Sequence, residues 1–178
     1  MVMSFISKLF KGSSFQALDA GAVAPPFALT DVDGKSYSLP ETLKQGPVLL
    51  AFFKVSCPTS QFTLPFLERL HQAVKGSSAA RLWGVSQNDA GQTRAFAKEY
   101  GLTFPLLLDE DGYAVSNGYG LTNVPTLFLV EPDGAIRLAS VGFNRRDIED
   151  IAAEFSQRTS QTIQVFQPGE RIPDSKAG

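Results

Sequence analysis

Sulfur and imidazole are scarce in this chain of 178 residues. It has one cysteine, Cys57, and one histidine, His71. A single cysteine excludes an intramolecular disulfide and an all-cysteine metal site. With only one histidine beside it, the usual four-ligand Cys/His zinc site is out of reach as well, and no metal or cofactor is expected. An excess of positive charge is also missing. Lys and Arg number 16 against 18 Asp and Glu, a formal charge of −2, which speaks against nucleic acid or an anionic membrane as partner. No apolar run reaches the ~18–20 residues that span a bilayer. Met1 to Lys11 has no basic segment ahead of an apolar run, as a secretory signal would. The expected compartment is the cytoplasm, where a lone thiol stays reduced.

Apolar material is plentiful. Hydrophobic residues make up 43% of the chain, charged residues 19%, and phenylalanine occurs 14 times. That composition suits one packed domain rather than a disordered chain. Three segments are expected. Residues 1–20 form a lead whose Phe5, Ile6, Leu9 and Phe10 share one helical face, packed on the body or on a second subunit. Residues 21–156 form the domain. Residues 157–178 turn polar and read as an extended tail lying along it.

Within the domain, Phe27–Thr30 and Lys35–Ser38 read as short strands around the hairpin dipeptide Asp33-Gly34. Leu39–Gln45 fits a helical turn. Pro47–Phe53 is continuously apolar, as expected for a strand buried on both faces. From Thr59 the spacing is helical through Phe62, Phe66, Leu67, Leu70 and Val74, and Gly76 ends it. Arg81–Ser86 is a second buried strand. Asp89–Tyr100 reads as an amphipathic helix through Ala95, Phe96 and Tyr100, capped by Asn88 or Asp89. A short strand over Pro105–Leu108 and a short helix over Tyr113–Tyr119 follow. Thr126–Val130 and Ala135–Val141 are strands joined by the turn Glu131-Pro132-Asp133-Gly134. Asn144 caps a last helix with Ile148, Ile151, Ala152 and Phe155 on its apolar face. This alternation predicts an α/β fold, a mixed sheet covered on both faces with an N-terminal β-hairpin.

Three local features converge on the cysteine. Cys57 follows a buried strand and opens a helix, with Pro58 at the first helical position, where its missing N–H costs nothing. A sulfur there faces free N–H groups and the positive end of the helix dipole, both of which favour a thiolate. Lys54, three residues earlier, adds a positive charge nearby. Pro65 lies inside the helical pattern, where proline bends a helix. Val124-Pro125-Thr126 runs directly into the strand TLFLV, and a proline opening a strand is a candidate for a cis bond.

On these residues the chain resembles the thioredoxin superfamily, in particular the redoxin group of AhpC/TSA- and TlpA-like proteins. The matching segments between Gly21 and Phe155 are APPFALTDVDGKSYSL, VLLAFFKVSCPTS, Pro65, FPLLLDEDG and GLTNVPTLFLVEPDGAIRLASVG. The resemblance implies a thioredoxin-like fold with Cys57 beside the loop carrying Pro125, and a Val124 backbone that pairs with an incoming peptide or thiol. It implies an oxidoreductase whose catalytic residue is Cys57. Lys54, Ser56, Pro58, Thr59, Ser60, Val124, Pro125 and Thr126 would support it. Thiols or disulfides, on proteins or glutathione, are the implied partners, with peroxide as the alternative.

The departures from the family pattern carry as much information. Cys57-Pro58-Thr59-Ser60 puts a serine where the resolving cysteine of C-x-x-C stands, so a mixed disulfide on Cys57 needs an external thiol to resolve it. Peroxiredoxins carry Thr or Ser three residues before the cysteine, where this chain has Lys54, and an arginine near the position of Val124-Pro125. Arg137 and Arg145 are the arginines to examine as replacements. A one-cysteine peroxidase is therefore the second reading, and a non-catalytic thioredoxin-fold binding module the third. Plainer roles are expected for His71, a surface or boundary residue, for Trp83 and the phenylalanines as core, and for Asp109, Glu110 and Asp111 as turn residues.

Overall fold

The computed structural model describes residues 16–178. The apolar face expected from Phe5, Ile6, Leu9 and Phe10 lies outside the described residues. The elements follow the expected order. β1 (Ala28–Thr30) and β2 (Ser36–Ser38) form the hairpin, and the Asp31 carboxylate closes its turn by accepting the Asp33 and Lys35 N–H groups at 2.9 Å each. Then come α1 (Leu39–Leu43), β3 (Val48–Phe53), α2 (Pro58–Val74), β4 (Arg81–Ser86), α3 (Ala90–Tyr100), β5 (Leu106–Leu108) and α4 (Ala114–Gly118). They are followed by β6 (Thr126–Val130), β7 (Ile136–Val141), β8 (Phe143–Asn144), α5 (Arg145–Thr159) and β9 (Ser175–Lys176).

The central sheet has the order β5-β4-β3-β6-β7. β3 and β4 pair parallel, as do β4 and β5, whereas β6 runs antiparallel to both β3 and β7. All six residues of β3 are buried, because it is the middle strand and both of its faces are covered. Side chains alternate across a strand. Leu49, Ala51 and Phe53 therefore enter the core beneath α2, α3 and α5, while Val48, Leu50 and Phe52 enter the opposite core with Trp83, Tyr119 and Phe128. The second core is closed by α1, α4 and the hairpin through Leu39, Leu43, Val115, Phe27 and Tyr37.

One expectation needs correction. Ala95 is exposed, and the inward face of α3 is Thr93, Phe96, Ala97 and Tyr100. Positions three and four apart share a helix face, and Ala95 sits one position, about 100°, from Phe96. The segment expected as a tail lying along the domain is fastened to it. Helix α5 runs to Thr159, and Val165 and Phe166, beyond it, are buried in the first core. The polar composition after Phe155 hid these two anchors. Caps resolve as expected for α5, where Asn144 accepts the Asp147 N–H. For α3 the Asp89 carboxylate takes the Gln92 N–H at 2.8 Å, leaving Asn88 free for another task.

Sheet register positions the site. Phe52 pairs with Thr126, and Thr126 with Val141. The end of β3, the start of β6 and the end of β7 therefore meet at one edge of the sheet. The loop to α2, the Val124-Pro125 turn and Gly142 are brought together there.

Candidate active site at the start of α2

Cys57 is the N-cap of α2, in extended backbone (φ −82°, ψ 117°), with Pro58 as first helical residue. Its carbonyl accepts the Gln61 N–H at 3.0 Å, which begins the helix. Its sulfur accepts the Ser60 N–H at 3.4 Å, one of the donors a helix start leaves unpaired. On its other side the sulfur donates to the Val124 carbonyl oxygen at 3.2 Å. The thiol, half-buried, thus sits between a donor from the helix and an acceptor from the neighbouring loop. This is an arrangement in which it can hold a proton or, once deprotonated, keep a hydrogen bond.

The connecting loop is held from below. The Cys57 N–H donates to the Lys54 carbonyl at 3.1 Å. The Val55 N–H donates to Asn88 Oδ1 at 3.0 Å, and Gln61 Nε2 donates to the Val55 carbonyl at 2.9 Å. Lys54 is half-buried, Ser56 and Pro58 are exposed, and Lys54 makes no ion pair among the described residues. Thr59 and Ser60 are buried in the first turn. The Thr59 hydroxyl donates to the Ala177 carbonyl at 2.6 Å, while the Ser60 hydroxyl has no hydrogen-bond partner among the described residues.

The facing loop is equally determined. The Val124–Pro125 bond is cis. The Pro125 carbonyl accepts the Gly142 N–H at 2.7 Å, and the buried Thr126 hydroxyl donates to the Asn123 carbonyl at 2.8 Å. Val124 therefore presents its carbonyl to the sulfur from a turn tied down on both sides.

The two arginines examined as peroxide-binding replacements are engaged elsewhere. Arg137 pairs with Glu154 at 2.8 Å and Glu131 at 3.6 Å. Arg145 pairs with Glu149 at 3.0 Å and lies over the Phe166 ring. Their own helix and strand neighbours satisfy them, so neither supplies a guanidinium to Cys57. Asp109 has a local task, accepting the Val115 and Ser116 N–H groups of α4. His71 is half-buried with its ring edge on Phe104, and burial pushes its imidazole below the usual pKa range.

A protein-family model described as the AhpC/TSA family matches residues 20–139. This chain belongs to the AhpC/TSA family. Curated relatives include the thiol-disulfide oxidoreductase ResA of Halalkalibacterium halodurans, 30% identical over 150 residues that cover 83% of this chain and 82% of the relative. Another is the thioredoxin-like protein YneN of Bacillus subtilis, 32% identical over 127 residues that cover 70% of this chain and 73% of the relative. Among solved structures, the thioredoxin domain of a thiol-disulfide oxidoreductase from Bacteroides vulgatus superposes with a TM-score of 0.68 at 25% identity, covering 78% of this chain and 99% of that one. StoA from Bacillus subtilis superposes at 0.61 with 26% identity, covering 73% and 96%. The fold of this AhpC/TSA member is thioredoxin-like, with a five-stranded mixed sheet, helices on both faces and the N-terminal hairpin.

Sequence reasoning missed the polar support. Asn88 and Gln61 hold the loop before Cys57 and neither belongs to a motif around it, whereas the Thr126 hydroxyl, which holds the facing loop, lies in the expected Val124-Pro125-Thr126 motif. It also missed the Asn123, Ala177 and Gly178 contacts, since Asn123 Nδ2 donates to the Gly178 carbonyl at 3.1 Å. One available signal was Gly142, just after a strand, where a glycine marks a turn or a close backbone approach.

Proposed function

We propose that this protein exchanges thiols and disulfides through Cys57 alone. The Cys57 thiolate attacks one sulfur of a protein disulfide or a glutathionylated protein. A Cys57–substrate S–S bond forms, the original S–S bond breaks, and the other sulfur leaves as a thiolate that takes a proton from solvent. An external thiol of the glutathione class then attacks the mixed disulfide. It forms a new disulfide with the substrate sulfur and returns Cys57 as thiolate. No net oxidation of the protein occurs over the cycle.

The observation that carries this reading is the sulfur's position. It lies at an N-cap, between the Ser60 N–H and the Val124 carbonyl, with a buried serine where a second sulfur would close an internal disulfide. In this reading Cys57 is the nucleophile. Pro58, Thr59 and Ser60 shape the first turn, Val124, Pro125 and Thr126 shape the facing wall, and Lys54 and Ser56 border the approach. The names of the curated relatives support disulfide chemistry. We place the reaction in the reducing cytoplasm, which cell fractionation tests.

A second reading is peroxidase activity, favoured by the AhpC/TSA match itself. There Cys57 attacks peroxide, becomes a sulfenic acid, and is reduced by external thiols. Lys54 in place of a hydroxyl and the engagement of Arg137 and Arg145 count against it. The test is to offer wild type and Cys57→Ser a glutathionylated protein and, separately, hydrogen peroxide with an external thiol. Trapped, thiol-reversible mixed disulfides on Cys57 are expected. Fast peroxide consumption with no such adducts would replace the first reading by the second. Partner capture unchanged in Cys57→Ser would favour a binding module.

A further inference from the structure

The last residues of the described chain lie across the walls of this site. Residues 174–178 are exposed throughout, yet they are held at every step. The Arg145 N–H donates to the Asp174 carbonyl at 2.9 Å, and β9 pairs antiparallel with β8, Ser175 opposite Asn144 and Lys176 opposite Phe143. The Lys176 ammonium lies 5.2 Å from the Phe62 ring centre. The Ala177 carbonyl is received by the Thr59 hydroxyl of α2, and the Gly178 carbonyl by Asn123 beside the cis bond. The approach is close. A Cβ on Gly142 would lie 2.5 Å from the Lys176 carbonyl oxygen, and a Cβ on Gly178 would lie 2.7 Å from the Val124 carbonyl oxygen, the acceptor of the Cys57 thiol.

Two properties of this segment point the same way. It is bound chiefly through its main chain, by a strand ladder and by side chains that reach its carbonyls. An extended segment of other sequence would satisfy the same groups. It also buries no side chain, so a few hydrogen bonds and one cation–π contact stand against the entropy of ordering five residues. Such a segment is held and displaceable. Both walls it bridges flank the sulfur.

We infer that residues 174–178 are a self-docked strap that competes with an extended disulfide-bearing peptide for the groove between Thr59, Asn123 and β8, and so slows peptide substrates at Cys57. This rests on the disulfide-exchange reading. A strap closed nine-tenths of the time leaves about a tenth of the molecules competent, so removing it accelerates peptide exchange about tenfold.

The experiment compares the full chain with a chain ending at Pro173. Each is reacted with a small aromatic disulfide and with an extended peptide whose cysteine carries the same aromatic leaving group. The shorter chain is expected to gain about tenfold on the peptide and little on the small reagent, and free Asp-Ser-Lys-Ala-Gly peptide is expected to slow it again. An unchanged peptide-to-small-reagent ratio overturns the strap, as does a loss of peptide reactivity, which would make the segment part of substrate binding. If Cys57 reacts with neither disulfide in either chain, the exchange reading falls and the strap with it. Circular dichroism checks folding. Full-length Thr59→Val keeps every residue of the segment and loses one contact. It is expected to shift the ratio in the same direction by a smaller factor, whereas a merely structural contact would change thermal stability and leave the ratio in place.

Discussion

The first turn of α2 and the segment after α5 meet at one edge of the sheet, and they are held there in opposite ways. Cys57 to Ser60 follows a central strand with no exposed residue, and its sulfur and the loop before it are hydrogen-bonded from within the same fold. The segment after Thr159 is fastened at intervals. Val165 and Phe166 are buried, the Arg69 guanidinium grips Glu170 at 2.7 Å, and the final five residues, all exposed, rest on a few hydrogen bonds. The sulfur therefore has a fixed address, while the segment beside it buries no side chain in its last five residues. The family match is divided in the same way: it ends at 139, and this strap lies wholly beyond it.

The most drastic break is at the sulfur. Cys57→Ser is expected to lose all mixed-disulfide formation while the far-ultraviolet circular dichroism spectrum stays as in wild type, because the serine hydroxyl can still accept the Ser60 N–H. A spectrum typical of an unfolded chain would contradict the view that the cap, rather than the sulfur, holds the turn. In the rigid region, Phe53→Ala removes a fully buried ring stacked at 5.4 Å on Phe96. It is expected to cost about 3–5 kcal/mol, read as a lower midpoint in urea unfolding. A loss under about 1 kcal/mol would mean that this core is less tightly packed than its burial implies.

Ser60→Cys sharpens the comparison without breaking the fold. It places a second thiol one helical turn after Cys57, at a buried hydroxyl with no hydrogen bond to lose. An internal disulfide is expected under oxidising conditions, with release of substrate that no longer needs an external thiol. Mass spectrometry showing two free thiols after oxidation would refute it. A smaller effect is expected at the cap of α3. Asp89→Ala removes the carboxylate bonded to the Gln92 N–H and should cost about 1 kcal/mol in the same unfolding measurement.

The smallest effect belongs to the loosely fastened region. The hydrogen bond from Arg69, with that of the Gln167 N–H, holds the Glu170 carboxyl down at about 2, against its usual 4.5. A depressed carboxylate contributes stability in full above its unfolded value. That contribution fades as pH falls from about 4.5 toward 2. Because the pair is exposed, salt weakens it. Amide protection around residues 165–170, measured against the intrinsic exchange rate at each pH, is expected to fall as pH drops through that window in wild type and to lose the step in Glu170→Gln. Protection that falls equally in both would place the acid-sensitive group elsewhere.

Much of this was legible along the chain. The unbroken apolar run of β3, the 3–4 spacing of α2, the Asp33-Gly34 and Asp133-Gly134 turns and the caps Asp89 and Asn144 are local signals, set by backbone preference and by hydrophobic period. The address of Cys57 was legible for the same reason, since a proline directly after it is favoured at the first position of the helix. Ala95 was misplaced because alanine is compatible with either face. The anchors Val165 and Phe166 were missed because two apolar residues in a polar stretch have no period to betray them.

The sequence by itself therefore determined the α/β class and the place of its one cysteine at a helix start, from which the proposed exchange takes its need for a second sulfur from another molecule. These follow from composition and from contacts within a few residues. Only the tertiary structure decided what faces that sulfur. The antiparallel register of β3, β6 and β7 carries the Val124 carbonyl, 67 residues away, to 3.2 Å from Cys57. The pairing of β8 with β9 sets the Ala177 carbonyl, 118 residues from Thr59, against the same turn. The carbonyls that accept these side-chain hydrogen bonds leave no mark in residue type, because every residue carries a carbonyl and register selects which one is used.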